Sequence, residues 1–60
     1  MALKYFTGKL HNNSVAVNPD LVIYVAQHKE GHAVINTMQS GSIEVTEKYL
    51  DVVARLNERD

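Results

Sequence analysis

The stretch Val15-Ala16-Val17-Asn18-Pro19-Asp20-Leu21-Val22-Ile23-Tyr24-Val25-Ala26 decides how this chain folds. Two apolar segments flank a three-residue turn signal. Pro19 has no N–H to give a strand ladder and pushes Asn18 toward extended geometry, so the chain turns a corner here. Asp20, which follows a proline in a turn, reads as an Asx-type turn former rather than a general base. Beyond the corner, Leu21 to Gln27 is β-branched and aromatic, which suits a pleated strand. In a regular strand Leu21, Ile23 and Val25 point one way and Val22, Tyr24 and Ala26 the other. A half-buried strand alternates apolar with polar. This one does not, so it is expected to be covered on both faces.

Working outward toward the N-terminus, Ser14 to Val17 is a short second strand. His11-Asn12-Asn13-Ser14 is a turn, closed by asparagines that tolerate positive φ. Residues 3–10 form a first strand, weakened by Gly8. Toward the C-terminus, Lys29-Glu30-Gly31 reads as a three-residue hairpin loop with Gly31 left-handed, which sets His28 opposite His32. Residues 33–38 are the fourth strand, Gln39-Ser40-Gly41-Ser42 a turn, and residues 43–45 a short fifth strand. Thr46 reads as a helix N-cap and Glu47 as a first-turn charge that suits the helix dipole. From Glu47 to about Glu58, Tyr49, Leu50, Val52, Val53 and Leu56 share one arc, and the charged residues lie opposite. Asp51 and Arg55 stand in the favourable i,i+4 order. The predicted fold is α+β. One domain over residues 1–60 carries a small antiparallel sheet of four or five strands. One C-terminal amphipathic helix packs on it through Tyr49, Leu50, Val53 and Leu56.

Sixty residues bury only about 60% of the surface the unfolded chain exposes, so a supplement to stability is expected. The chain has no cysteine, which excludes disulfides and zinc–thiolate sites and fits a reducing, cytoplasmic setting. Self-association is the supplement expected. Val22, Tyr24 and Ala26 are the candidate interface, and a homo-oligomer with a further protein partner is expected. A net charge of −1 gives no basic excess, which disfavours nucleic acid. No apolar run is long enough for a transmembrane helix. The opening Met1-Ala2-Leu3-Lys4-Tyr5-Phe6 lacks the features of a signal peptide.

For chemistry the residues offer little. Gly8, Gly31 and Gly41 are isolated turn glycines rather than a phosphate loop. Glu44 reads as a solvated strand position, and His11 as a solvent-facing turn residue. No catalytic constellation and no cofactor site is expected. Opposed across their hairpin, His28 and His32 stand close enough to share Zn2+ or Ni2+, with Glu30 or another chain as third ligand. The simpler reading, an exposed polar hairpin tip without metal, is preferred.

One family resemblance covers most of the chain, from about Lys9 to Leu56. The run Val17-Asn18-Pro19-Asp20-Leu21-Val22, the apolar strand after it, the Val34-Ile35 strand and Val45-Thr46-Glu47 before a terminal helix together resemble the small bacterial FlbD/SwrD family. Asn18-Pro19-Asp20-Leu21 is its specific part. The chain departs from that pattern at Asn12-Asn13, where the family carries Asn-Gly, at Gly41, which sits one place late, and at Ile23, where an acidic residue is common. The resemblance implies a link to flagellar and swarming motility. In layout alone the chain is also similar to the carbon storage regulator CsrA, an RNA-binding dimer of five strands and a helix. Thr46-Glu47 stands where that family places basic residues. A non-enzymatic adaptor or regulatory domain is therefore the leading expectation, and a small nucleic-acid-binding regulator the alternative.

Overall fold

The computed structural model describes residues 3–58. In chain order the elements are β1 (Lys4–Thr7), β2 (Ser14–Val17), a 3-10 turn (Pro19–Leu21), β3 (Val22–Gln27), β4 (His32–Thr37), β5 (Gly41–Lys48) and α1 (Tyr49–Leu56). All strand pairs are antiparallel, and the helix comes last, so the fold is α+β. No helix among the described residues is long and apolar enough to cross a membrane.

The strands do not form the single sheet expected from their order. β1 pairs with β2, and β3-β4-β5 form a separate sheet. The two are joined at one bridge, Gly8 to Val45, extended by a hydrogen bond from the Lys9 N–H to the Glu44 carbonyl of 2.9 Å. Beyond the bridge the ladder stops because a side chain replaces the backbone acceptor. The Glu47 carboxylate takes the Thr7 N–H at 3.0 and 3.1 Å. Gly8 leaves room for the returning arm of its own hairpin. A Cβ there would lie 2.5 Å from Asn13 Oδ1 and 3.2 Å from Val15 Cγ2.

The core lies between the two sheets and the helix. Phe6 of β1, Val17 of β2, Ala33 and Ile35 of β4, Val45 of β5 and Val52 of α1 are its buried members. Val15, Val22, Val25, Ile43 and Leu56 pack around them. Burying these side chains is the dominant stabilising term for a chain without cross-links.

The end of the chain differs from the sequence reading. β5 runs through Thr46 and Glu47 to Lys48, and α1 starts at Tyr49, so Thr46 is not the N-cap. Lys48 caps the helix with no side-chain hydrogen bond. The strand persists because His32 pairs with Lys48 and because Glu47 is engaged by β1. Leu50, expected to pack on the sheet, is 75% exposed, and Val52 is fully buried instead. At about 100° per residue, Leu50 stands roughly 160° around the helix from Val52, at the margin of the apolar arc. Arg55 does not pair with Asp51 but reaches across to β1. It donates to the Tyr5 carbonyl at 3.0 Å, stands 3.8 Å from Glu47 and lies over the Phe6 ring. The helix thereby ties the two-stranded unit to the rest.

Candidate functional site

Two regions carry the residues singled out in the sequence: the β3–β4 hairpin with its histidines, and the apolar strand β3.

The hairpin closes as its loop chemistry demands. Gly31 takes φ of 105°, a value side chains rarely adopt. The His28 N–H donates to the His32 carbonyl at 2.8 Å, and the Gly31 N–H to the His28 carbonyl at 2.8 Å. His28 and His32 thus face each other, and their rings stack with centroids 4.3 Å apart and planes 19° from parallel. The Glu30 N–H donates to His28 Nδ1 at 3.1 Å.

The pair is not a uniformly exposed tip. His32 is only 7% exposed, covered where the end of β5 passes into α1 and the Tyr49 N–H reaches the Gly31 carbonyl. A register shift between His32 and Val34 moves their β5 partners from Lys48 to Glu44. Across it, His32 Nε2 meets Glu44 Oε1 at 2.8 Å. Glu44 is therefore more than a solvated strand position. The hydrogen bond to His32 holds its carboxyl below the usual value of 4.5. His28 and Glu44 open onto a groove of about 640 Å3 between the β1–β2 loop and the sheet, lined also by Lys9, Leu10, His11 and Val34. His11 is exposed there, as expected.

The apolar strand is split by a bulge. Val22 pairs with Thr37 but Tyr24 pairs with Asn36, so Ile23 is the extra residue. Val22 and Val25, which a regular strand would point to opposite faces, both pack on the core. Val22 therefore turns inward and does not share the outer face with Tyr24 and Ala26. Tyr24 and Ala26 remain on the outer face, opposite Asn36 and Val34. Tyr24 is 57% exposed and Ile23 63%. The corner before β3 is shaped by Asn18, not Asp20, because Asn18 Oδ1 accepts the Asp20 N–H at 3.0 Å.

The His32–Glu44 link was not legible in the sequence. It depends on a register shift, and nothing local in Ile43-Glu44-Val45 announces it. The chain matches no protein-family model, no curated protein and no solved structure.

Proposed function

We propose that this chain is a non-enzymatic protein-interaction domain with an adaptor or regulatory role, and that it self-associates along β3. The observation that carries the reading is the state of that strand. Among the described residues β3 pairs on one side only, with β4. Ile23 and Tyr24 stand exposed, and no residue from Val22 to Gln27 is charged. Strand edges in soluble proteins are normally guarded by charge, proline or cover, because free N–H and C=O groups recruit another strand. Beyond the bulge, Tyr24 to Gln27 carries neither charge nor proline. A second copy pairing across a two-fold axis would extend the ladder and set its own side chains beside Tyr24 and Ala26. A motility-linked setting is part of the proposal and rests on the resemblance around Asn18-Pro19-Asp20-Leu21.

Light scattering behind a sizing column tests it. The wild-type chain is expected to elute as a dimer or larger at micromolar concentration. Tyr24→Asp, which puts a charge on the outer face without touching the core, is expected to give a folded monomer of lower melting temperature. A wild-type monomer whose mass and melting temperature are unchanged by the substitution would overturn the reading.

A further inference from the structure

We propose that His28, Glu30 and His32 bind one divalent transition-metal ion of the Zn2+ type, with Glu44 as the positioning residue that orients His32. One ring nitrogen from each histidine and one Glu30 carboxylate oxygen lie within 4.8 Å of one another. Zn2+ sits about 2.1 Å from nitrogen and oxygen ligands, so tetrahedral donors stand roughly 3.4 Å apart. Closing the difference falls to Glu30, whose side chain is exposed on the turn and sheds no core contact by moving. The hairpin hydrogen bonds hold the two histidines side by side, and their rings turn out of the stack to aim both lone pairs at one ion.

The hydrogen bonding of His32 prepares it as a metal ligand. One nitrogen of each ring is occupied, His28 Nδ1 by the Glu30 N–H and His32 Nε2 by Glu44. The second nitrogen of each ring has no hydrogen-bond partner among the described residues, and no unpartnered side-chain nitrogen among them is buried. His32, whose Nε2–H faces Glu44, thus offers a solvent-reachable Nδ1 lone pair, whereas His28, whose Nδ1 lone pair takes the Glu30 N–H, must release that bond to coordinate, through Nδ1 itself or through Nε2 once the ring proton has moved. The Glu44 carboxylate on His32 Nε2 is the arrangement that fixes the tautomer and orientation of a metal-binding imidazole, leaving Nδ1 to the ion. Two imidazoles and a carboxylate suit Zn2+, Ni2+ or Cu2+ better than Mg2+ or Ca2+. Three protein ligands leave a fourth position for water or for a donor from a bound molecule. The groove beside His28 gives such a molecule access.

Isothermal titration of the full chain with Zn2+ is the test, with Mg2+ as control. One submicromolar Zn2+ site per chain is expected, together with no Mg2+ site. His28→Ala and the exposed-turn variant Glu30→Ala should each weaken Zn2+ by well over tenfold, while far-UV circular dichroism reports an unchanged fold. Glu44→Gln should weaken it about 10–100-fold and alter the visible absorption of the Co2+-loaded protein. Absence of saturable Zn2+ binding would overturn the proposal, as would affinity that survives both His28→Ala and Glu30→Ala. A Co2+ spectrum and affinity untouched by Glu44→Gln would remove Glu44 from the site.

Discussion

Replacing Val52 by Ala tests how the helix is seated. Val52 is fully buried, inside the cluster that also contains Phe6, Val17, Ala33, Ile35 and Val45. The substitution removes two methyl groups, worth roughly 1.6 kcal/mol at about 0.8 kcal/mol per buried carbon. A residual cavity of about 40 Å3, at roughly 24 cal/mol per Å3, adds about 1 kcal/mol. The expected loss is therefore about 2.5 kcal/mol. A domain of this length has only about 3–9 kcal/mol in total. With a urea slope near 1 kcal/mol per M for so small a chain, the midpoint should fall by about 2.5 M. The assay is equilibrium urea unfolding followed by far-UV circular dichroism. It must be run at one fixed protein concentration, because association would shift the midpoint. Leu50→Ala is the internal control: at 75% exposure it should stay within about 0.5 kcal/mol of wild type. If Leu50→Ala cost as much as Val52→Ala, the helix would be rotated so that Leu50 faces the sheet, and the packing described above would be refuted.

Two further outcomes follow from the side chains that join the elements. Glu47→Ala removes the acceptor of the Thr7 N–H and should cost about 1–3 kcal/mol in the same urea assay, with hydrogen exchange at the Thr7 amide accelerated. Glu44 supports the fold in its charged form, because His32 lowers its carboxyl pKa. A depressed folded-state pKa contributes stability that is present above the unfolded value and lost as pH falls through the folded one. Thermal melts should therefore show a small loss for wild type as pH drops below 4.5, and Glu44→Gln should flatten that part of the profile.

Some of the architecture is written in single residues. Pro19 ends one strand and Gly31 turns another. The β-branched run after Asp20 needs a sheet, and the apolar arc from Tyr49 to Leu56 makes a helix. Each follows from the φ/ψ preference or periodicity of a few neighbours, so each can be read without knowing what lies across the fold. The His28–His32 pairing belongs with them, because a three-residue loop with a left-handed glycine sets its own closing pair. Register and element length are different in kind. Thr46 has the chemistry of an N-cap and Glu47 that of a first helical turn. Both stay in β5 because His32 claims Lys48 across the ladder and Thr7, 40 residues away, claims the Glu47 carboxylate. The bulge at Ile23 turns Val22 inward beside Val25, and the shift after His32 brings Glu44 to the imidazole. Both arise from satisfying partners distant in sequence, where one residue of slip reverses every side chain that follows. Composition and periodicity carry no record of that competition, which is why the strands and helix could be read along the chain while the faces they present were decided only when the chain closed on itself.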